Sequence, residues 1–131
     1  MTVRVLLVDD EKEFAAALAE RLALRGLFIR TSLSGLDALA QLQREEVDVV
    51  VLDVSMPGMT GIETLRLIKQ IKPLVQVIML TGHATIQSGM EALKLGACTY
   101  LLKPTEINDL ISQIKKAHAQ RHSLEPRTKS S

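Results

Sequence analysis

The chain has 131 residues and a 47% apolar fraction, which is enough for one domain with a substantial hydrophobic core. Its 16 basic and 15 acidic residues nearly cancel and give a net charge of +1. This balance argues against nucleic-acid binding, because domains that bind nucleic acids usually carry an excess of basic residues. Base stacking is also disfavoured, since the chain contains 1 tyrosine, 2 phenylalanines and no tryptophan.

The sequence also bears on the compartment. Cys98 is the only cysteine, so no intramolecular disulfide can form, and we expect a buried thiol in a reducing compartment. The first residues lack a signal-peptide pattern, and no apolar run approaches the roughly 20 residues of a membrane span. We therefore expect a cytoplasmic protein that does not interact with membranes.

Five apolar segments typical of β-strands alternate with five segments of helical periodicity. The predicted strands cover residues 3–8, 27–31, 49–53, 75–80 and 98–102. The predicted helices cover residues 11–25, a segment that begins at 34, a segment from 60 to the proline at 73, residues 85–95, and a segment around 107–117. Ser34 with Asp37, and Thr60 with Glu63, have the spacing of capping boxes at two helix starts.

Each predicted helix has an apolar stripe, and such a stripe usually contacts the core. These stripes consist of Phe14, Ala17, Leu18 and Leu22 in the first helix, Ala38, Leu39 and Leu42 in the second, Ile62, Leu65, Ile68 and Ile71 in the third, Ile86, Met90 and Leu93 in the fourth, and Ile107, Leu110, Ile111, Ile114 and Ala117 in the last. The set of Ile86, Met90, Ile107, Ile111 and Ile114 contains both core and possible interface positions, which the sequence alone does not separate.

Strands that alternate with helices favour parallel pairing and right-handed crossovers, and hence a three-layer, doubly wound α/β sandwich. Five βα units fit the flavodoxin-like strand order 2-1-3-4-5, in which the first and third strands are neighbours. We assign residues 1–121 to this domain. Residues 122–131 are polar and aperiodic, so we expect a disordered tail or the start of a linker.

Charged and hydroxyl side chains follow the predicted strands at one edge of the sheet. Asp9 and Asp10 follow the first strand, Asp53 ends the third, Thr81 follows the fourth and Lys103 follows the fifth. Two carboxylates about 4 Å apart repel by roughly 4 kcal/mol at an effective dielectric constant of about 20, so either one is protonated or a cation neutralises them. Oxygen ligands favour Mg²⁺, which also binds phosphate oxygens. Asp53 is then placed to attack phosphorus, with Lys103 offsetting charge.

Each of these residues also has a purely structural interpretation. Asp10 with Glu13 fits a capping box for the first helix. A strand-end aspartate such as Asp53 is often a turn residue, and Thr81 fits an ordinary helix cap. Lys103 alone fits a solvated surface lysine. The functional interpretation depends on all of them occurring together.

Taken together, the strand-end motifs resemble the receiver domain of two-component response regulators over about residues 3–119. The matching motifs are Asp9-Asp10, Asp53-x-x-Met56-Pro57-Gly58-Met59-x-Gly61, Thr81-Gly82 and Lys103-Pro104. The segment 80–85 is similar to receivers of nitrogen-regulation-type activators, and a stand-alone, chemotaxis-like receiver is the alternative. Thr105 departs from the family, where phenylalanine often follows Lys-Pro.

The resemblance implies a phosphoacceptor and a cofactor. Asp53 would accept a phosphoryl group from a sensor histidine kinase or a phosphotransfer protein. Asp9, Asp10 and Asp53, with the backbone carbonyl of Ser55, would bind Mg²⁺. The domain would catalyse only its own phosphorylation and slow dephosphorylation, so we do not expect a classical enzyme.

The resemblance also implies a conformational switch. Thr81 would bond the phosphoryl group and Lys103 would pair with it, while Tyr100 would change rotamer with Thr81. The surface formed by the fourth helix, fifth strand and fifth helix would change and control a partner, an attached effector domain or a phosphorylation-dependent homodimer. The bond between Lys103 and Pro104 is expected to be cis, and His83 is a candidate for tuning phosphoryl lifetime.

Two other functions compete with this hypothesis. A Mg²⁺-dependent phosphohydrolase of the haloacid-dehalogenase type would also use an aspartyl nucleophile, but it carries an acid/base aspartate two residues later, where this chain has Ser55. A protein-interaction module that no longer needs phosphate is the other alternative, and the intact set of site residues argues against it.

Overall fold

The structure is a computed structural model that describes residues 2–82 and 85–124, with the backbone alone for 122–124. The predictions for His83 and for residues 125–131 therefore lie outside the described residues. Within them, the elements are β1 (Arg4–Val8), α1 (Lys12–Ala23), β2 (Phe28–Ser32), α2 (Gly35–Arg44), β3 (Val49–Leu52), α3 (Gly61–Ile71), β4 (Gln76–Thr81), α4 (Ile86–Lys94), β5 (Thr99–Leu102) and α5 (Ile107–Leu124).

The strands form a parallel sheet in the order β2-β1-β3-β4-β5. This confirms the predicted flavodoxin-like sandwich. Successive residues of β3 face opposite sides, as the two-residue period of a strand requires. Val49 and Val51 pack on the side covered by α1 and α5, whereas Val50 and Leu52 pack on the side covered by α2, α3 and α4. The two helix layers thus bury both faces of the central strands.

Of the two predicted capping boxes, the one at the start of α3 forms completely and the one at the start of α2 forms only in part. At the start of α3, Thr60 Oγ1 accepts from the Glu63 backbone N–H at 3.2 Å, and Glu63 Oε1 accepts from the Thr60 backbone N–H at 3.0 Å. At the start of α2, Ser34 Oγ accepts from the Asp37 backbone N–H at 3.1 Å, but the Asp37 carboxylate accepts from Ser32 Oγ at 2.7 Å. The hydroxyl of Ser32 therefore engages the carboxylate that the predicted box requires.

The predicted apolar faces are correct for α5 and wrong in part for α1 and α3. Ile107, Leu110, Ile111, Ile114 and Ala117 are all buried. In α1, Ala15 is buried and Ala17 is exposed, because Ala15 shares the three- and four-residue spacing of Leu18 and Leu22. In α3, Ile62 is partly buried, but Ile71 at the last turn is exposed.

The apolar stripe of α4 lies on the surface, which decides the alternative that the sequence left open between core and interface positions. Ile86, Met90 and Leu93 are 85%, 61% and 52% exposed, and Ala92 is the buried residue of this helix. A small residue faces the sheet because it allows α4 to approach closely, while the larger side chains point away. The apolar stripe of α4 is therefore a surface and not part of the core.

The last helix continues beyond the predicted domain limit at residue 121, since α5 ends at Leu124. Measured over the parts of the chain that the structure covers, no helix combines the length and the apolar character that crossing a bilayer requires. Cys98 is half-buried, and its Sγ donates to Gln76 Oε1 at 2.8 Å. Burial raises the pKa of the Cys98 thiol, which favours the uncharged form.

A cluster of charges closes the edge of the sheet where β3 begins. Asp48 is buried and accepts hydrogen bonds from the Arg4 backbone N–H and from Arg4 Nη2, both at 2.9 Å. His118 and Arg121 of α5 lie 4.0 and 3.8 Å from the same carboxylate, and Arg121 also bonds the Val47 carbonyl. Burial alone would raise the pKa of Asp48, but the hydrogen bonds from Arg4 outweigh it and lower the pKa.

Replacing Asp48 should therefore destabilise the fold. We expect Asp48→Asn to lower the free energy of unfolding by about 2 kcal/mol, because hydrogen bonds to a charged group contribute roughly 1.5–3 kcal/mol each. Because folding lowers the pKa of Asp48, its contribution is present above the unfolded pKa of about 3.9 and is lost as pH falls through the folded pKa. Urea unfolding at several pH values measures this difference. Glu20→Gln, on the exposed side of α1, is the control. A pH-independent difference would contradict the assignment.

Candidate functional site

Backbone hydrogen bonds beyond the strands hold the site residues at one edge of the sheet. Val8 of β1 is paired with Leu52 of β3, so the residues that follow them are neighbours. The Asp53 backbone N–H donates to the Val8 carbonyl at 3.0 Å, and the Lys103 backbone N–H donates to the Thr81 carbonyl at 2.9 Å. The pairing of the sheet thus fixes the backbone of three predicted site residues: Asp9, Asp53 and Lys103.

Asp9, Asp10 and Asp53 form a cluster in which one carboxylate oxygen of each residue lies within 4.8 Å of the other two. Asp9 and Asp53 are 1% and 5% exposed. Burial raises the pKa of Asp53, Lys103 lowers it and the charge of Asp9 raises it again, while hydrogen bonds from the Thr81 side chain and the Ser55 backbone lower it. The net pKa is raised, as expected for a carboxylate in a buried and negatively charged cleft.

The cluster fits a hard divalent cation. Its described residues offer only carboxylate oxygens, which is the donor set that Mg²⁺ prefers. Asp53 Oδ1 is buried and has no hydrogen-bond partner among the described residues. A buried, unsatisfied carboxylate oxygen is costly, and a cation at this point would satisfy it.

Lys103 enters this cleft from the end of β5. Its Nζ donates to Asp9 Oδ2 at 2.7 Å and to Glu11 Oε1 at 2.9 Å, and it lies 3.9 Å from Asp53 Oδ2. The Phe14 ring centroid is 4.3 Å from the same nitrogen. Burial would lower the pKa of Lys103, but the hydrogen bonds to Asp9 and Glu11 outweigh it and raise the pKa. The bond that follows, between Lys103 and its proline, is cis.

Glu11 is a site residue that the sequence analysis does not identify. It is the N-cap of α1, so the alternative interpretation of Asp10 and Glu13 as a capping box is wrong. Its backbone N–H donates to Asp9 Oδ1 at 2.9 Å. The only feature of the sequence that points to Glu11 is its position directly after the acidic pair. This position does not show that the side chain reaches Lys103.

Gly61 allows the loop after Asp53 to close over the site. A Cβ at Gly61 would lie 2.0 Å from the carbonyl oxygen of Asp53, so the first turn of α3 packs directly on that backbone. Gly58, in the same loop, has φ of +75°, a conformation that other residues rarely adopt. The glycines of the motif thus bring α3 against the strand end.

Thr81 and Tyr100 have different surroundings. Thr81 is fully buried, and hydrogen bonding from its side chain is one of the causes that lower the pKa of Asp53. Tyr100 is partly buried, and its Oη lies 2.6 Å from Ser88 Oγ in α4. Ser88 also forms the capping box of α4 with Thr85. The tyrosine is therefore connected to the first turn of α4, through a serine that the sequence analysis does not identify.

The fold and the site define a doubly wound α/β domain with an acidic, lysine-containing cleft at the carboxyl edge of its sheet. Residues 5–115 match the response regulator receiver domain family, and the chain belongs to that family. This confirms the resemblance seen in the motifs.

Individual relatives agree with this assignment. The transcriptional regulatory protein ZraR of Escherichia coli (strain K12) is 35% identical over 126 residues, which is 96% of this chain and 29% of that protein. The chain thus spans less than a third of that relative. A receiver domain protein from Clostridium thermocellum has a TM-score of 0.89 and 33% identity, covering 94% of this chain and 99% of that chain. The beryllofluoride-activated NtrC4 receiver domain dimer has a TM-score of 0.85 and 32% identity, covering 90% and 98%.

Mg²⁺ should stabilise the folded chain through the carboxylate cluster. At a concentration about 100-fold above the dissociation constant, binding contributes about 2.7 kcal/mol and should raise the melting temperature by roughly 5–10 °C. Asp53→Asn should melt higher than the wild type without Mg²⁺, because it removes a desolvated charge, and should lose most of the Mg²⁺-dependent rise. Asp109→Asn, at an exposed position in α5, is the control and should keep the full rise. An equal rise in all three proteins would place the cation elsewhere.

The contact between Tyr100 and Ser88 should stabilise the start of α4. We expect Ser88→Ala to cost about 1 kcal/mol, because it removes a capping side chain and the partner of Tyr100 Oη. Tyr100→Phe removes only the second interaction and should cost less. Hydrogen exchange of the α4 amides measures both effects. Ser112→Ala, at an exposed position in α5, should leave α4 unchanged. Unchanged α4 exchange in Ser88→Ala would contradict this connection.

Proposed function

We propose that this chain is a phosphorylation-controlled switch that accepts a phosphoryl group on Asp53 from a histidine kinase or a phosphotransfer protein. The observation that carries the proposal is the cleft itself. Asp53 is buried, and its Oδ1 has no hydrogen-bond partner among the described residues. Asp9, Asp10 and Lys103 lie around the Asp53 carboxylate. Membership of the receiver family supports a cytoplasmic signalling role.

The residues of the cleft divide the chemistry among them. Asp9, Asp10, Asp53 and the backbone carbonyl of Ser55 would hold Mg²⁺, which neutralises the carboxylates and the charge on phosphoryl oxygens. A carboxylate oxygen of Asp53 attacks phosphorus and forms the new O–P bond, while the donor's leaving group departs with its electron pair. Lys103 offsets negative charge on the transferring oxygens.

The same cleft supports a switch better than a phosphohydrolase. Ser55 stands where a haloacid-dehalogenase-type enzyme carries its acid/base aspartate, so the aspartyl phosphate should persist and its loss should be slow. The phosphorylated state then lasts long enough to shift a conformational equilibrium. Thr81 would follow the phosphoryl group, and Tyr100 would transmit the change through its contact with α4.

The signal would pass to a partner or to an attached effector domain through the surface formed by α4, β5 and α5. The similarity to ZraR, of which the chain covers 29%, supports control of transcription by an effector segment.

Intact mass measurement tests the phosphoacceptor. Incubation with acetyl phosphate and Mg²⁺ should add one phosphoryl group to the wild type and to Asp109→Asn, and none to Asp53→Asn. Omitting Mg²⁺ should abolish the gain, because the carboxylates would then repel the anionic donor. A chain that gains no phosphoryl group and forms no beryllofluoride complex would favour a phosphate-independent interaction module instead.

Phosphorylation should also change self-association, because the α4 surface is apolar and exposed. Ile86 and Met90 are 85% and 61% exposed on the same helix, and exposed apolar patches often mark interaction sites. The similar NtrC4 receiver is a dimer in its beryllofluoride-activated form. Sedimentation with beryllofluoride and Mg²⁺ should show a dimer for the wild type. Ile86→Glu should remain monomeric, and Leu24→Glu, an equally exposed position at the end of α1, should dimerise normally. A wild-type chain that stays monomeric would contradict this proposal.

A further inference from the structure

Lys103 is bonded to carboxylates other than the proposed phosphoacceptor. Its Nζ lies 2.7 Å from Asp9 Oδ2 and 2.9 Å from Glu11 Oε1, but 3.9 Å from Asp53 Oδ2. The last distance is outside hydrogen-bond range. Two of the three ammonium donors are thus used by Asp9 and Glu11, which hold the nitrogen beyond hydrogen-bond distance of Asp53, and moving it toward Asp53 strains these two contacts.

The Glu11 carboxylate accepts from this lysine and does not cap the helix that Glu11 precedes. Serine, threonine, aspartate and asparagine are preferred at an N-cap because their side chains accept from the first helical N–H groups. Glu11 occupies the N-cap of α1 without such a bond, and its backbone N–H is fixed by Asp9 Oδ1 at 2.9 Å. The Glu11 carboxylate thus has a partner in Lys103 that helix capping does not provide.

We propose that Glu11 is a positioning residue that holds Lys103 back from Asp53 and slows phosphoryl transfer. This inference rests on the proposed function. A cation in the cluster would compete with Lys103 for Asp9, but Glu11 lies outside the cluster, so its bond to Lys103 opposes the movement even when the cation is bound. Glu11 is 64% exposed at its side chain, and an exposed ion pair of this kind should change the rate by about twofold to fivefold.

Three variants separate the effect of the contact between Glu11 and Lys103 from the effect of the negative charge on Glu11. Glu11→Gln removes the charge, and Glu11→Asp keeps the charge but withdraws the carboxylate by one methylene group. Aspartate is also a favourable N-cap, so Glu11→Asp should not weaken α1. Glu13→Gln, at an exposed position in the first turn of α1, changes net charge equally and is the matched control.

Two readouts are needed. The first is the rate of phosphorylation by acetyl phosphate with Mg²⁺, followed by intact mass. The second is the acetylation of Lys103 Nζ by acetic anhydride in metal-free protein, quantified by peptide mass spectrometry. Glu11→Gln and Glu11→Asp should both be phosphorylated about twofold to fivefold faster than the wild type, and their Lys103 should be acetylated faster. Glu13→Gln should match the wild type in both readouts.

Four outcomes would overturn the proposal. They are an unchanged or slower rate in Glu11→Gln, a wild-type rate in Glu11→Asp, the same acceleration in Glu13→Gln, and unchanged acetylation of Lys103 in both Glu11 variants. Phosphorylation of all four proteins at equal rates would overturn the role of Glu11 alone. Failure of the wild type itself to be phosphorylated by acetyl phosphate or to bind beryllofluoride would overturn the proposed function, and this role with it.

Discussion

The charge balance in a nearly buried cleft is the constraint on which the rest of the site depends. Asp9, Asp10 and Asp53 each place one carboxylate oxygen within 4.8 Å of the other two. Lys103 is bonded to Asp9 and only approaches Asp53. Burial raises the pKa of Asp53, Lys103 offsets this only in part, and the charge of Asp9 raises the pKa further. A site with surplus negative charge favours binding of a cation, and the bound cation would in turn favour binding of a phosphoryl anion. Its chemistry follows from an imbalance that the fold maintains.

The fold maintains this imbalance of charge through backbone hydrogen bonds and close backbone packing, and not through further ion pairs between side chains. Hydrogen bonds of the sheet continue beyond β1 and β3, and Gly61 packs the start of α3 against the Asp53 carbonyl. At the opposite edge of the sheet the buried carboxylate has basic partners, since Arg4, His118 and Arg121 lie close to Asp48. One edge is neutralised by its own residues and contributes stability. The other edge leaves charge for an external ligand, as functional sites commonly do.

Much of this arrangement could be predicted from the sequence. The regular alternation of buried strands and amphipathic helices predicts parallel pairing, and parallel pairing brings Asp9 and Asp53 to one edge. Glu11 could not be predicted, because an exposed glutamate beside an acidic pair resembles any solvated residue until Lys103 is located. Whether Ile86 and Met90 are core or interface positions could not be predicted either, for a related reason. An apolar stripe indicates which residues share a face of a helix, but not whether another element covers that face.

The central claim is that the geometry selects Asp53 among three neighbouring carboxylates. Borohydride reduces an aspartyl phosphate to homoserine, so peptide mass spectrometry after treatment with acetyl phosphate, Mg²⁺ and borohydride locates the acceptor directly. The account predicts homoserine at position 53 and unmodified aspartate at positions 9 and 10. Homoserine at either of those positions, with Asp53 unmodified, would contradict it.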